Sequence, residues 1–152
     1  KFYESRESIQ SSDNANDKVG LLEGEFSSVV AILEQLISKV GYNPEEILIL
    51  APTHKIRDTF YQTLPSHLRD ICAVTRDWIE GKVNIVTIHS AKGLESRICI
   101  MLSLDHYQTS RAKRQDMLLI YVGMTRAFQE LYIHAYSFAT DTLAKRIKEI
   151  LS

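Results

Sequence analysis

Residues 83–102 read VNIVTIHSAKGLESRICIML, and this stretch decides the fold. Its two apolar runs, 83–88 and 98–102, have the length of strands and little polar interruption, which is typical of a parallel sheet buried on both faces. Between the runs, Gly93 lets backbone amides approach an anion closely, and Glu95 offers a carboxylate that accepts from a sugar hydroxyl. The stretch predicts buried strands joined by a polar, ligand-binding segment. A strand-to-helix turn with ordinary capping residues is the alternative.

The rest of the chain alternates between strand and helix patterns. Helices are predicted at 29–40, 54–64, 111–127 and 142–151, and further strands at 47–50, 71–75 and 131–135. This alternation predicts an α/β fold, with a mostly parallel sheet covered by helices on both faces. In such folds ligands bind at the carboxyl ends of the strands. Residues 1–19 contain a polar, aperiodic run and are predicted to be a flexible linker, which leaves one domain at 20–152.

Composition excludes several classes of protein. The 152 residues carry a net charge of −1, so any contact with nucleic acid must be local. Cys72 and Cys99 lie in apolar runs and are predicted to be small buried hydrophobes, without a disulfide or a metal site, which fits a reducing cytoplasm. No apolar run approaches the roughly 20 residues that span a bilayer, so no membrane partner is expected. The chain begins at Lys1 rather than Met, so we expect it to be a piece of a longer protein.

A second stretch, LIYVGMTRA at 119–127, is predicted to belong to a helix that is buried nearly all round. Gly123 inside a helix indicates close packing against another backbone. Arg126 near the helix end needs a partner, since a buried charge is costly alone. That partner is either a carboxylate of the same domain or the phosphates of a ligand, which the planar guanidinium matches bidentately.

Taken together, the two stretches resemble a known family. Residues 87–95 (TIHSAKGLE) closely resemble motif V of the superfamily 1 helicases of the UvrD and Rep type, and 121–127 (YVGMTRA) closely resemble motif VI. The resemblance implies the second RecA-like domain of such a helicase, a three-layer α/β/α member of the P-loop NTPase superfamily. In that family ATP lies between two RecA-like domains, and single-stranded DNA crosses both.

The resemblance also implies roles for individual residues. Arg126 would reach the γ-phosphate as the catalytic residue, and Gly93 and Glu95 would join it in nucleotide binding. The implied DNA-binding residues are Thr53, Thr87, His89 and Ser90. The implied coupling residues are Lys92, Tyr121 and Thr125.

Three departures from the family pattern limit what the chain does alone. The stretch after the strand at 47–50 keeps Thr53 but lacks the adenine-stacking aromatic and the extra arginine of motif IV; Lys55 or Arg57 is a substitute in principle. The extra domain that many members insert between motifs IV and V is absent. The chain also lacks a Gly-x-x-x-x-Gly-Lys-Ser/Thr loop and a strand ending in Asp-Glu, which cradle phosphates and hold magnesium.

The sequence therefore predicts the C-terminal domain of an ATP-dependent DNA helicase that is inactive as a separate fragment. ATP and Mg²⁺ would act in the full-length protein, and neither is expected to bind tightly to the fragment. The expected partners are single-stranded or partly duplex DNA and the N-terminal RecA-like domain of the same protein. The alternative is a catalytically inactive helicase-like module that binds DNA or a protein partner.

Overall fold

The computed structural model describes residues 18–74 and 77–151. Their centre is one six-stranded sheet in the order β1-β6-β5-β2-β4-β3, in which every neighbouring pair is parallel. The strands are β1 (Lys18–Glu23), β2 (Ile47–Ala51), β3 (Cys72–Ala73), β4 (Val83–Thr87), β5 (Ser96–Met101) and β6 (Ala127–Ala135). The predicted α/β class with a mostly parallel sheet is confirmed.

Helices connect the strands as parallel pairing requires. They are α1 (Ser27–Glu34), α2 (His54–Thr63), α3 (Ser66–Arg69), α4 (Arg114–Met124) and α5 (Leu143–Leu151). A π-helical segment, Gln35–Val40, extends α1 and ends at Gly41, whose φ of 90° allows the left-handed turn that stops the helix. Short 3₁₀ turns lie at Pro44–Glu46, Ile88–Ser90 and Leu104–His106.

The two faces of the sheet form two separate hydrophobic cores. Ile47 and Ile49 of β2 point into the core that α1, α2 and α3 cover, which also contains the fully buried Phe60 of α2. Leu48 and Leu50 point into the opposite core, which α4 and α5 cover. All four β2 side chains are fully buried, as expected of a central strand covered on both faces.

The two cysteines lie in these cores, as predicted. Cys72 and Cys99 are buried free thiols. Burial raises the pKa of the Cys72 thiol to about 12 and also raises that of Cys99, so neither forms a reactive thiolate near neutral pH.

Two expectations about the helix that leads into motif VI and contains its first residues are wrong. The helix spans Arg114–Met124 rather than 111–127, so Arg126 lies beyond its end. It is also not buried all round, because Leu118 and Tyr121 are 55% and 65% exposed. The apolar run places hydrophobic side chains on more than the side of the helix that faces the sheet. Those on the other side lie at the surface.

The boundaries of the domain stay partly untested. Strand β1 begins at Lys18, two residues inside the segment predicted as a linker, while residues 1–17 lie outside the described residues. Strand β3 is shorter than the predicted 71–75, whose last position also lies outside them. Across the described ranges, no helix has both the length and the apolar character needed to cross a bilayer.

Candidate functional site

The predicted site residues fall into two groups at opposite edges of the sheet. The register pairs Ala51 at the end of β2 with Thr87 at the end of β4, so Thr53 and Thr87 belong to the carboxyl edge. Glu95 directly precedes β5, so it belongs to the amino edge. Six or seven strand residues separate the two levels, which corresponds to roughly 20 Å. Motif V therefore crosses the whole height of the sheet between Thr87 and Glu95.

The amino edge brings motif V and motif VI together. The backbone N–H of Ser96 donates to the carbonyl oxygen of Arg126 at 3.0 Å, and Ser96 pairs with Ala127 at the start of β6. Glu95 and Arg126 are therefore on adjacent chain segments. Gly93 has a φ of 86°, a left-handed conformation that lets the chain turn into β5. Glu95 is exposed, so its carboxylate is accessible to a ligand.

The Arg126 side chain is half-buried and folded back on the end of α4. Its Nε donates to the Val122 carbonyl at 3.1 Å, and its Nη2 donates to the Thr125 hydroxyl at 3.1 Å. The Thr125 hydroxyl in turn donates to the same Val122 carbonyl at 2.7 Å. No salt bridge within residues 18–74 and 77–151 includes Arg126. Of the two partners that the sequence left open, the described residues thus do not supply the carboxylate.

A second arginine at the same edge forms two side-chain hydrogen bonds and a contact with an aromatic ring. Arg97 donates from Nη1 to Glu46 and from Nε to Gln129, each at 2.8 Å, and its guanidinium lies 5.1 Å from the centre of the Tyr42 ring. The bond to Glu46 raises the pKa of Arg97 and lowers that of Glu46. Arg97 is thus paired with a carboxylate, whereas the hydrogen-bond partners of Arg126 among the described residues are neutral.

The carboxyl edge holds the predicted DNA-binding residues. Thr53 caps the N-terminus of α2, where its hydroxyl accepts from the Ile56 N–H at 3.1 Å. The Thr87 hydroxyl lies 3.2 Å from that of Ser90. Thr87 itself is buried, whereas His89 and Ser90 in the following turn are exposed. Thr53 thus has a structural role that needs no ligand, while His89 and Ser90 are accessible.

Motif VI also contacts motif V away from the amino edge. A Cβ added to Gly123 would lie 2.7 Å from Met101 Cε, 3.3 Å from Leu50 Cδ1 and 3.5 Å from Ile88 Cγ2. Ile88 directly follows Thr87 in the chain. Gly123 also accepts through its carbonyl from the Arg126 N–H at 3.0 Å. The packing at Gly123 is thus close, as predicted, but it is packing against side chains; the prediction that another backbone approaches the glycine is wrong.

The three predicted coupling residues all lie at the surface. Lys92, Tyr121 and Thr125 are all exposed. Lys92 lies in the segment that crosses from one sheet edge to the other, and Tyr121 and Thr125 lie at the end of α4. The structure brings Thr125 to Arg126 through the hydrogen bond described above.

A cleft at the carboxyl edge was missed by the sequence analysis. It has a volume of about 280 Å³ and is called the carboxyl-edge cleft here. Its lining consists of Phe26, Lys55, Ile56, Thr59, Ser103, Asp105, His106 and Tyr136. The rule that ligands bind at carboxyl ends pointed to the residues after Leu102, but Phe26 follows β1, a strand that was not predicted. Lys55, considered as a substitute nucleotide ligand, lies in this cleft instead.

Two buried polar atoms of residues that line this cleft have no hydrogen-bond partner among the described residues. They are Ser103 Oγ and Asp105 Oδ1. The other carboxylate oxygen, Asp105 Oδ2, accepts from the backbone N–H groups of Tyr136 at 3.1 Å and Ser137 at 3.2 Å. Both unpaired atoms are closed off from the surface, so neither is presented to a ligand in the cleft.

His134 holds the floor of the cleft in place. Ser103 has the left-handed backbone angles φ 53° and ψ 50°, which are unfavourable for a residue with a side chain. Its N–H donates to His134 Nδ1 at 3.0 Å, and His134 Nε2 donates to the Gly24 carbonyl at 2.9 Å. These partners require the neutral Nε2–H tautomer, and burial lowers the pKa of His134 accordingly.

Such an arrangement defines a three-layer α/β/α domain with ligand-type side chains at two edges of a parallel sheet. Residues 74–137 match the family described as the UvrD-like helicase C-terminal domain. The chain is 33% identical over 88 residues to the ATP-dependent DNA helicase srs2 of Schizosaccharomyces pombe, a match that covers 53% of this chain and 10% of that protein. This chain therefore corresponds to about a tenth of that relative.

A solved structure shows the same fold. The crystal structure of the C-terminal domain of a possible DNA helicase from Lactobacillus plantarum WCFS1 superimposes with a TM-score of 0.64, at 19% identity, over 99% of this chain and 92% of that one. The predicted resemblance is thus confirmed.

Proposed function

We propose that this chain is the second RecA-like domain of an ATP-dependent superfamily 1 DNA helicase. In this role it supplies Arg126 to ATP in the cleft between two RecA-like domains and forms part of the track for single-stranded DNA. The observation that carries the proposal is the separation of the site residues. Glu95 and Arg126 meet at the amino edge of the sheet, and Thr53 and Thr87 lie at the carboxyl edge.

The surroundings of Arg126 support a role in nucleotide binding. Its hydrogen-bond partners, the Val122 carbonyl and the Thr125 hydroxyl, are neutral, so its positive charge has no ion pair within the described ranges. They also fix the guanidinium at one place, which favours an interaction with a phosphate of fixed position. An arginine supplied across a domain boundary stabilises the negative charge on a phosphoryl group during its transfer. This raises the rate of hydrolysis by several orders of magnitude.

ATP and Mg²⁺ fit this scheme only with a second domain present. The sequence has no loop to cradle phosphates, and no group of three or more His, Cys, Asp or Glu side chains that could hold a metal occurs within the described part of the chain. When bound, ATP supplies the free energy of phosphoryl transfer. Arg126 would contact the phosphates and Glu95 the ribose, with Gly93 allowing the close approach of the backbone. The N-terminal RecA-like domain would hold the metal.

The exposed side of α4 supports that pairing of domains. Leu118 and Tyr121, three residues apart, share one side of the helix and remain largely exposed. Large exposed apolar side chains near a charged site indicate a contact surface. We place the N-terminal RecA-like domain against this side, so that closure around ATP covers Tyr121 and brings phosphates to Arg126.

The carboxyl edge would carry the DNA. His89 and Ser90 are exposed there, and the carboxyl-edge cleft adds Lys55 and the partly exposed aromatic ring of Tyr136. Cations that contact phosphates and aromatic faces that stack on bases are the components of a single-strand track. Gly123, packed on Ile88 and hydrogen-bonded to Arg126, would transmit motion between the track and the nucleotide.

The experiment is an ATPase assay on the full-length protein with and without single-stranded DNA. Arg126→Ala should lower DNA-stimulated turnover by about 10³-fold or more. Arg111→Ala, which removes an exposed arginine elsewhere, is the matched control and should leave turnover unchanged. Strong turnover in the Arg126 variant would show that this arginine is structural and would remove the main support for the proposal.

One observation favours the second candidate, an inactive helicase-like module. The motif IV stretch lacks its aromatic and arginine, and the Thr53 hydroxyl is engaged in capping α2. In that case the full-length protein would bind single-stranded DNA without any ATP turnover. The same assay therefore separates the two candidates, provided that DNA binding is measured beside it.

A further inference from the structure

We propose that Phe128 stacks on the base of ATP at the amino edge of the sheet. This inference rests on the proposed function, because it requires ATP at Arg126 and Glu95. It goes further by assigning the contact with the base to a residue just after motif VI. The motif IV stretch offers no aromatic side chain for that contact.

Phe128 is exposed on a strand that is otherwise nearly closed to solvent. Residues 130–135 of β6 are all buried, whereas Phe128 is 63% exposed and belongs to neither of the two hydrophobic cores. Single exposed hydrophobic residues are common on protein surfaces, so the position of this ring decides what it contacts.

An irregularity in the strand pairing sets that position. Between the pair Ser96–Ala127 and the pair Ile98–Glu130, strand β6 has two residues where β5 has one. The pairing thus contains a β-bulge at Phe128 and the residue that follows it. A bulge redirects a side chain out of the regular alternation of a strand, and bulges are frequent next to active sites.

Hydrogen bonds hold the other residue of the bulge in place. The Gln129 side chain accepts from Arg97 Nε at 2.8 Å and donates from its own Nε2 to the Tyr42 hydroxyl at 3.2 Å. Arg97 is in turn bound to Glu46 at 2.8 Å. The main chain beside Phe128 is therefore held in one conformation. A ring presented from such a backbone loses little conformational freedom when a ligand binds, which favours affinity.

The groups that would bind the three parts of ATP surround one backbone pair. Ser96 donates its N–H to the Arg126 carbonyl and pairs with Ala127. Glu95 directly precedes Ser96, and Arg126 and Phe128 flank Ala127. A carboxylate for the ribose, a guanidinium for the phosphates and an aromatic ring for the base are thus all one residue away from this pair. Small-molecule sites combine a few polar groups with aromatic side chains in this way.

The base is the part of ATP that suits this ring. The phosphates are charged and the ribose is polar, so only the base offers a flat aromatic face for stacking. Leu118 and Tyr121, which face the proposed second domain, lie on helix α4, whereas Phe128 lies on β6 beside the candidate nucleotide-binding residues. Phe128 is therefore assigned to the base rather than to the contact between domains.

The full-length protein tests this assignment through two inhibitors of its DNA-stimulated ATPase activity. One inhibitor is a non-hydrolysable ATP analogue, and the other is ribose 5′-triphosphate, which has the sugar and the phosphates but no base. Phe128→Leu keeps an apolar side chain and removes the aromatic face. It should raise the inhibition constant of the ATP analogue by about tenfold, through the loss of base stacking, and leave that of ribose 5′-triphosphate unchanged.

Two further variants control the measurement. Phe128→Trp keeps an aromatic face and should leave the inhibition constant of the ATP analogue near its wild-type value. Ile150→Ala is the matched control, because it removes an apolar side chain that is 67% exposed on α5, outside the proposed site. It should change neither inhibition constant.

The contrary results differ in what they overturn. Equal increases for both inhibitors in Phe128→Leu would mean that the ring packs against the second domain, which overturns the contact with the base. Unchanged constants in a protein with intact ATPase activity would overturn this inference alone and leave the proposed function standing. A wild-type protein without ATP turnover would overturn the proposed function and this inference together.

Discussion

The carbonyl oxygen of Arg126 accepts a 3.0 Å hydrogen bond from the backbone N–H of Ser96. This bond joins the end of motif VI to the end of motif V at the amino edge of the sheet, one residue from Glu95. The positions of the two candidate nucleotide-binding residues are thereby set by main-chain geometry rather than by their side chains. Substitution of either side chain should therefore leave the strand pairing intact.

Thr125 fixes the guanidinium of Arg126 and is expected to be a positioning residue. Its hydroxyl accepts from Arg126 Nη2 and donates to the Val122 carbonyl. Thr125→Val removes the hydroxyl at nearly constant shape, so the guanidinium loses one of its two anchors. Since a misplacement of about 1 Å costs as much as ~100-fold in rate, we expect kcat for ATP to fall by about tenfold or more with a smaller change in KM.

Thr125→Ser is the matched control for that measurement. It restores the hydroxyl and should restore most of the turnover of the full-length protein. Because Thr125 is exposed, neither variant should change the free energy of unfolding by more than about 0.5 kcal/mol. Equal loss of activity in the Val and Ser variants would mean that the hydroxyl does not position Arg126.

The sequence predicted the sheet better than it predicted the surface. Apolar runs such as Ile47–Ala51 are buried on both faces, so their pattern alone indicates a central strand. The side of α4 that carries Leu118 and Tyr121 has the same apolar character but lies at the surface, and no local pattern separates the two cases. If the proposed N-terminal RecA-like domain covers this side, these apolar residues belong to an interface with a part of the protein outside residues 1–152.

The candidate site was predictable only where it is contiguous in sequence. Motifs V and VI are continuous stretches, so Glu95 and Arg126 could be proposed as site residues from the sequence alone. The carboxyl-edge cleft combines Phe26, Ser103 and Tyr136 from the ends of three strands. Their proximity depends on sheet order, in which β1 pairs with β6 although it is farthest from it in sequence. A site assembled by such long-range pairing leaves no spacing to recognise.

Gly123 should tolerate a methyl group only when Met101 is shortened. An added Cβ lies 2.7 Å from Met101 Cε, the flexible end of that side chain, and 3.3 Å from Leu50 Cδ1. Gly123→Ala gains about 1 kcal/mol of helix propensity but overpacks a filled core at a cost of about 1–3 kcal/mol. We expect a net loss of roughly 1 kcal/mol in the free energy of unfolding, measured by urea denaturation.

A double-mutant cycle supplies the control for Gly123. Met101→Ala removes Cε and should itself cost about 2–5 kcal/mol, since Met101 is fully buried. In that background Gly123→Ala fills vacated space, so its effect should change sign and become stabilising. An effect of the same size and sign in both backgrounds would mean that the Met101 contact does not limit residue 123.

Acid should destabilise the domain through His134. This residue is fully buried, and burial lowers its pKa, opposed by its bond to the Gly24 carbonyl and by the charge of Asp105. Its Nδ1 accepts from the Ser103 N–H. A proton on Nδ1 would break this hydrogen bond, because two N–H donors would then face each other. The unfolded chain takes up this proton at about pH 6.5, before the folded protein does. Stability from the neutral imidazole is therefore complete above that pH and declines as the pH falls toward the folded pKa.

Urea denaturation at a series of pH values from about 7.5 down to about 5.5 measures this decline. The carboxyl groups of Glu34 and Glu46, whose pKa values are lowered in the folded state, titrate further into acid and contribute below this window. His134→Gln should be less stable at neutral pH but should show a flatter pH dependence. The control is His106→Gln, which removes an exposed histidine of the same cleft and should keep the full decline. If the wild-type protein and His134→Gln lose stability in parallel between these pH values, the decline does not come from His134.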